Sequence, residues 1–222
     1  MTLMDRIGSL SEEKQRYLEE INKYFCGNRM GYIKVPTGWG KTFLAKHLMK
    51  QYREEGKTVL FLVSRNNQLL AQTSFGNDGQ RLFPNSIILS SDHDKVNIDN
   101  LQDKIKNRDS GSIILASLQT ILSKNNIETK DILSQNSDLV IIDEVHNFID
   151  NRGDDFINNL NQNAKIFGMT ATPFQGVIGN VKFVDDISKE MREIFSKTLP
   201  QCIMEGQLCE LNYKIIYSNQ IF

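Results

Sequence analysis

The chain has 222 residues, of which 40% are hydrophobic and 24% charged, a balance typical of one globular domain and unlike that of disordered or collagen-like chains. Its formal net charge of −1 favours no particular class of binding partner. The longest apolar runs have the length of strands, well below the roughly 18 residues of a membrane-spanning helix. The first ten residues contain no apolar segment of the kind found in signal peptides. These features predict an intracellular, cytoplasmic protein that has no membrane partner.

The first third of the chain alternates between helical patterns and short apolar runs. Ser11 is a candidate N-cap for a helix that Gly27 ends. The run 30–35 predicts a buried strand, the segment 41–55 a helix, and the run 58–63 a second buried strand. A further helical pattern follows residue 65.

The rest of the chain repeats this alternation. The apolar runs that predict strands are 87–89, 113–116, 139–142 and 165–170, and an alternating pattern at 211–217 predicts one more. Helices are predicted at 101–106 and at 188–196. Short apolar strands that alternate with helices predict an α/β domain, with a mostly parallel central sheet covered by helices on both faces.

The segment 35–42, VPTGWGKT, lies between a predicted strand and a predicted helix. A loop at that place aims backbone N–H groups and the helix N-terminus at an anion. Gly38 and Gly40 let the backbone approach a phosphate closely, because they have no Cβ. Lys41 can reach the β- and γ-phosphates, and the Thr42 hydroxyl can ligate Mg²⁺. The segment therefore predicts a phosphate loop, although valine stands where the common pattern has its first glycine.

Two acids, Asp143 and Glu144, follow the apolar run 139–142. In α/β sheets ligands bind outside the carboxyl ends of the strands, so both acids are expected to face the ligand of the phosphate loop. Asp143 would hold Mg²⁺, directly or through water, and Glu144 would orient and polarise an attacking water. An apolar run followed by two acids is weak evidence alone, but it is strong evidence when a phosphate loop precedes it.

Five segments together resemble motifs of superfamily 2 helicases and translocases of the DEAD/DEAH (DExH) kind. PTGWGKT is similar to motif I, DEVH to motif II and GMTATP to motif III. VLFLVSRNNQLLAQ resembles motif Ia, and ILASLQT resembles the next DNA-contacting motif. The sequence TATPF is closest to the branch that holds restriction-enzyme motor subunits and excision-repair helicases, which is mostly DNA-directed.

The resemblance implies a RecA-like P-loop NTPase fold and a role for each motif. The implied ATP-binding residues are Thr37, Gly38, Trp39, Gly40, Lys41 and Thr42. Catalysis is implied for Lys41, Asp143 and Glu144, with Mg²⁺ on Thr42 and Asp143. His146, Thr170 and Thr172 would couple the nucleotide state to the grip on nucleic acid. Ser64, Arg65 and Ser117 would contact the nucleic-acid backbone.

Two local features each leave two interpretations open. Gln15 could read the adenine edge with Tyr17 stacked on the base, or both residues could belong to a solvated first helical turn. Trp39 could cover the nucleotide, or it could pack on a neighbouring side chain.

The working unit of the family has two RecA-like domains with ATP between them. The resemblance therefore implies an N-terminal RecA-like domain over residues 1–208 and, at 209–222, the start of a linker to a second RecA-like domain that acts in cis or in trans. The expected function is that of the ATP-binding motor domain of an ATP-dependent helicase or translocase on double-stranded or single-stranded DNA. Alone, the chain is expected to bind ATP and hydrolyse it weakly.

Two other functions remain as alternatives. The first is a regulatory ATP-binding switch that controls a partner protein without translocation, but such a module would not need the intact acid pair. The second is an unrelated P-loop enzyme such as a nucleotide kinase, which would leave the TATP segment unexplained.

Overall fold

The computed structural model describes residues 7–63, 81–83, 85–89, 101–103, 105, 111–123, 127–147, 151–171, 174–177, 180–183 and 191–209. The helices are α1 (Glu12–Gly27), α2 (Lys41–Glu54), α3 (Leu118–Leu122), α4 (Ile127–Asn136), α5 (Asn151–Asn158) and α6 (Leu199–Met204), with a 3₁₀ turn at Val145–Asn147. The strands are β1 (Met30–Lys34), β2 (Val59–Val63), β3 (Ile87–Leu89), β4 (Ile113–Ser117), β5 (Leu139–Asp143), β6 (Lys165–Thr170), β7 (Phe174–Val177), β8 (Asn180–Phe183) and β9 (Arg192–Ser196).

Seven of these strands form one sheet in the order β3-β4-β2-β5-β6-β1-β9, and every neighbouring pair in it is parallel. Strand β6 lies between β1 and β5, with Thr170 opposite Lys34 and Met169 opposite Asp143. Because the carboxyl ends of parallel strands meet at one edge, the segments that follow β1, β5 and β6 lie side by side. Strands β7 and β8 form a separate antiparallel pair.

The sheet is buried on both faces. In β2, Val59, Phe61 and Val63 pack in one apolar layer, and Leu60 and Leu62 pack in the other. The first layer also contains buried residues of α1 and α2, and the second contains buried residues of α3, α4 and α5. The prediction of a mostly parallel sheet with helices on both faces is confirmed.

Most of the predicted elements that fall on described residues are present within one or two residues of their predicted bounds. Ser11 caps α1 as predicted, since its Oγ accepts a hydrogen bond from the Lys14 N–H at 3.3 Å. Residues 101–103 and 105 are helical, in agreement with the helix predicted at 101–106. The helical pattern after residue 65 and the strand at 211–217 lie outside the described residues.

The predicted helix at 188–196 is wrong in its described part, because residues Arg192–Ser196 form strand β9. Met191, Ile194 and Phe195 follow helical spacing, but the edge of β1 offers backbone hydrogen bonds, and β9 pairs with it in parallel. Such tertiary pairing overrides a local spacing pattern. Among the described helices, none is both long and apolar enough to cross a membrane.

Candidate active site

The loop between β1 and α2 has a backbone that requires glycine. Gly38 and Gly40 have φ angles of +86° and +103°, in the left-handed region that residues with a Cβ rarely adopt. Gly40 is also the N-cap of α2, and no side chain there accepts a hydrogen bond from the first turn. The free N–H groups and the positive end of the helix dipole therefore favour an anion at this place.

A cavity of about 440 Å³ lies at the carboxyl edge of the sheet. Its lining residues are Thr37, Gly38, Gly40, Lys41, Thr42, Phe43, Lys46, Asp143 and Glu144. The structure thus brings the loop after β1, the start of α2 and the two acids at the end of β5 around one space. Sequence reasoning missed Phe43 and Lys46, although Lys46 stands one helical turn after Thr42, a spacing that places both residues on the same face of α2.

Lys41 is a nearly buried cation between the loop and the acid pair. Its Nζ donates a hydrogen bond to the Val35 carbonyl at 3.3 Å and lies 3.9 Å from Oε1 of Glu144. An ammonium group has three N–H donors, so these contacts leave Lys41 able to bind phosphate oxygens that enter the cavity.

Asp143 is buried beside a second carboxylate. Burial and the charge of Glu144 raise its pKa to about 6, while the charge of Lys41 and a hydrogen bond from the Glu144 N–H at 3.1 Å oppose this shift. A divalent cation would relieve the repulsion between the two acids. The Asp143 carboxylate and the Thr42 hydroxyl, both in the cavity wall, are hard oxygen donors of the kind that Mg²⁺ takes.

The side chains present can supply only some of the ligands of a divalent cation. Among the described residues, no group of three or more His, Cys, Asp and Glu side chains is placed to hold a metal ion. Mg²⁺ is commonly held by one or two carboxylates together with substrate phosphates, so Asp143 and Thr42 suffice on the protein side.

Glu144 has an unusual backbone conformation. Its φ of +50° is the only positive φ among the described residues other than glycine, and such outliers are common at active sites. The carboxylate lies between the Lys41 ammonium, at 3.9 Å, and Nδ1 of His146, at 3.4 Å. The side chain is 27% exposed, so a water molecule can reach it from the cavity.

His146 connects the acid pair to β6. Its Nδ1 is 2.8 Å from the Thr170 hydroxyl, and the Thr170 carbonyl accepts a hydrogen bond from the Val35 N–H at 3.0 Å. Burial lowers the pKa of His146, the charge of Glu144 opposes that shift, and the charge of Lys41 adds to it. A continuous set of contacts therefore runs from Glu144 through His146 and Thr170 to the phosphate loop. Thr172 lies outside the described residues.

Trp39 packs on neighbouring side chains, and its covering of the nucleotide stays a prediction. The indole is 2% exposed, and its N–H donates a hydrogen bond to Oε1 of Gln207 at 2.8 Å. Its ring meets the ring of Tyr17 edge-on at 5.5 Å, and the ring of Phe195 lies at 6.1 Å. The described residues that line the cavity do not include Trp39.

The two candidates for adenine recognition also lie outside the described cavity wall. Gln15 is exposed on α1, where its amide N–H donates to the Leu10 carbonyl at 3.4 Å. The ring of Tyr17 stacks on Phe195 at 4.4 Å, and its hydroxyl donates to Glu13 at 3.4 Å. Adenine recognition by Gln15 and Tyr17 stays a prediction.

Ser117 is the only candidate for nucleic-acid contact that falls on described residues, since Ser64 and Arg65 do not. Its hydroxyl caps α3 by accepting from the Thr120 N–H at 3.1 Å, and it shares a second hydrogen bond with the Thr120 hydroxyl at 2.7 Å. The side chain is 4% exposed. Ser117 thus orients the start of α3, a role that its position just before a helical run could have indicated.

Comparison with known protein families gives one family match. The model for the family described as "Type III restriction enzyme, res subunit" matches residues 8–175. Comparison with curated proteins gave no sequence match.

Several solved structures share this fold. One is a nuclease-deletion mutant of the Type ISP restriction-modification enzyme LlaGI in complex with a DNA substrate mimic. It superposes with a TM-score of 0.70 and is 18% identical in sequence, and the match covers 90% of this chain and 21% of the LlaGI chain. LlaBIII, an ATP-dependent Type ISP restriction-modification enzyme bound to DNA, has a TM-score of 0.69 and 18% identity over 90% of this chain and 16% of its own. The Pyrococcus furiosus Hef helicase domain has a TM-score of 0.57 and 21% identity over 83% of this chain and 39% of its own.

At these identities the likeness concerns the fold, and the expected RecA-like architecture is confirmed. The chain spans about a fifth of the length of the LlaGI protein that it matches.

Proposed function

The chain belongs to the family of type III restriction enzyme res subunits, and we propose that it is the ATP-binding first RecA-like lobe of an ATP-dependent DNA helicase or translocase. The family match and the fold support a helicase-like motor domain of the restriction-enzyme type. We further propose that this lobe spans residues 1–208 and that residues 209–222 lead toward a second lobe, in cis or in trans.

The observation that carries the proposal is the meeting of Lys41 and Thr42 with Asp143 and Glu144 in one cavity. The loop N–H groups and Lys41 would bind the phosphates of ATP, and Asp143 with Thr42 would hold Mg²⁺. When bound, Mg²⁺ neutralises charge on the phosphate oxygens.

Glu144 would act on the attacking water. Its carboxylate orients the water and accepts a proton, while the water oxygen bonds to the γ-phosphorus. The bond from that phosphorus to the bridging oxygen breaks, and ADP and phosphate leave. Positioning and charge neutralisation supply most of the rate in this chemistry.

Two further parts complete the proposed motor. The contacts from Glu144 through His146 to Thr170 would carry the state of the nucleotide to the loops that grip nucleic acid. A second lobe would supply a cation to the transition state, which is worth orders of magnitude in rate. The lobe alone is therefore expected to bind ATP and to turn it over slowly.

DNA is the nucleic acid that the comparisons favour. The similar enzymes LlaGI and LlaBIII are described in complex with a DNA substrate mimic and with DNA, respectively. A regulatory switch without translocation is not favoured, because such a module would have no need of Glu144 beside Lys41.

The test is the Glu144→Gln substitution, made in a chain that carries a second lobe or measured with that lobe added in trans. We expect DNA-stimulated ATP hydrolysis to fall by about 10²–10⁴-fold, since the base is lost, while ATP affinity stays within about twofold. Glu54→Gln is a matched control, because Glu54 is 62% exposed and pairs with Lys50 on the same helix. Turnover that survives in Glu144→Gln would show that another residue activates the water.

A further inference from the structure

Lys14 extends from the first turn of α1 toward the phosphate loop. Its Nζ lies 2.5 Å from the position that a Cβ on Gly40 would occupy. The same ammonium is 5.2 Å from the ring centre of Trp39 and 5.6 Å from that of Phe43. Lys14 is not one of the described lining residues, but its ammonium lies beside Gly40 and Phe43, which do line the cavity.

Within the described part of the chain, the Lys14 ammonium makes neither an ion pair nor a hydrogen bond. The neighbouring carboxylate of Glu13 is already engaged, since it pairs with Lys197 at 2.5 Å and accepts a hydrogen bond from Gln207. Burial lowers the pKa of Lys14, and the charge of Glu13 opposes that shift. An ammonium that is partly desolvated and faces two aromatic rings has three N–H donors to offer to an incoming anion.

We propose that Lys14 is a second lysine of the nucleotide site and that its ammonium binds the phosphate chain of the nucleotide together with Lys41. The inference deepens the proposed function and rests on it. Phosphate is the favoured ligand because the ammonium stands beside Gly40, whose neighbours in the loop present the N–H groups and the helix N-terminus that attract an anion.

The surroundings of Lys14 keep it in place. Cation–π contact with Trp39 and Phe43 holds the flexible side chain near the loop before any ligand arrives. The missing Cβ of Gly40 gives the ammonium the space that it occupies. Lys14 would therefore distinguish phosphorylated nucleotides from nucleosides, a role separate from recognition of the base.

The experiment measures the affinity of this chain for ATP, for tripolyphosphate and for adenosine by calorimetry, before and after Lys14→Met. Methionine keeps the apolar stem against the two rings and removes only the charge. We expect affinity for ATP and for tripolyphosphate to fall by about tenfold each, as for the loss of one hydrogen bond to a charged group, and affinity for adenosine to stay the same. Lys14→Arg should restore most of the loss.

Lys57→Met is the matched control, because Lys57 also lies over an aromatic ring, that of Tyr52 at 4.8 Å, but its ammonium pairs with Glu55 at 2.6 Å. It should leave all three affinities unchanged. If Lys14→Met does not fold, Lys14→Gln serves the same comparison.

Two results would overturn the role of Lys14: unchanged affinity for ATP and tripolyphosphate, or an equal loss for adenosine, which would indicate a purely structural effect. A failure of the proposed function looks different. In that case the wild-type chain itself would bind neither ATP nor tripolyphosphate, and Lys14 would have no phosphate chain to bind.

Discussion

Gly40 has a φ of +103° at the point where α2 begins, and a Cβ at this position would lie 2.5 Å from Nζ of Lys14. Glycine is therefore favoured at this position for two reasons, the positive φ of the backbone and the close approach of the neighbouring Lys14 side chain. Among the described glycines, Gly56 and Gly27 lack one or both of these constraints. At Gly56 φ is +77° and the space around a Cβ is open, while Gly27 has open space and no positive φ.

Alanine substitutions at these three positions separate strain from contact. We expect Gly27→Ala to leave the free energy of unfolding unchanged or to raise it by up to about 1 kcal/mol, because alanine lowers the entropy of the unfolded chain. Gly56→Ala should lower it by about 1 kcal/mol through strain alone. Gly40→Ala should lower it by about 1–3 kcal/mol, because Lys14 must also move. Urea denaturation measures all three, and equal stability of Gly40→Ala and Gly27→Ala would contradict the strained loop.

Individual site residues were predictable from sequence where their role depends on near neighbours. Gly38, Lys41 and Asp143 fall into that class, since a loop after a strand and an acid at the end of a strand are local patterns. The environment of Trp39 was not predictable, because its hydrogen-bond partner Gln207 is 168 residues away. Lys14 was missed for the same reason, since only folding brings α1 over Gly40.

Helix α2 links the site to the core. Its first residues, Lys41 and Thr42, line the cavity, while Leu44 and Leu48 on its inner face are fully buried. His47 is buried on that face, and its Nε2 has no hydrogen-bond partner in the described structure. Burial lowers the pKa of His47, a hydrogen bond with the Gly8 backbone opposes the shift, and the charge of Lys50 adds to it.

The lowered pKa of His47 makes stability depend on pH. The unfolded chain binds a proton at the ordinary histidine value of 6.5, whereas the folded chain binds it only at lower pH. The stabilisation by neutral His47 is therefore full above pH 6.5 and is lost as the pH falls through the folded pKa. The test compares the unfolding free energy at pH 7.5 and at pH 5.5, which lie on either side of the ordinary histidine pKa of about 6.5. We expect the difference between the two pH values to be smaller in His47→Leu than in wild type.

Urea titrations at the two pH values measure that difference. The comparison with wild type cancels the contributions of Asp143 and His146, which titrate equally in both proteins. An identical difference in the two proteins would mean that His47 is protonated equally in the folded and unfolded chains.

Elements were predicted best where both faces are buried. Strands β2, β4 and β5 are continuous apolar runs, and such runs have few alternatives to a buried parallel strand. Strand β9 was predicted as a helix because it lies at the sheet edge, where Arg192, Glu193 and Ser196 are exposed and the apolar pattern is incomplete. The pairing of β9 with β1 is a long-range contact that no local pattern contains.

At the scale of the whole molecule, the parallel sheet is what assembles the site. Strands β1, β5 and β6 are neighbours in space, yet they are far apart in sequence. Their common direction brings the phosphate loop, the acid pair and Thr170 to one edge, while two apolar layers hold the strands from either side. The fold therefore places the lining of the proposed nucleotide cavity at one edge of the sheet.

Calorimetric titration of the chain with ATP and Mg²⁺, before and after Lys41→Met, tests most directly whether this cavity is a nucleotide site. Lys50→Met is the control, because Lys50 stands on the same helix and pairs with Glu54 at 3.4 Å, away from the described cavity wall. We expect wild type and Lys50→Met to bind ATP alike, and Lys41→Met to bind it at least about tenfold more weakly, since a charged phosphate contact is lost. Equal ATP affinity in Lys41→Met and wild type would contradict the assignment of the cavity to the phosphates of ATP.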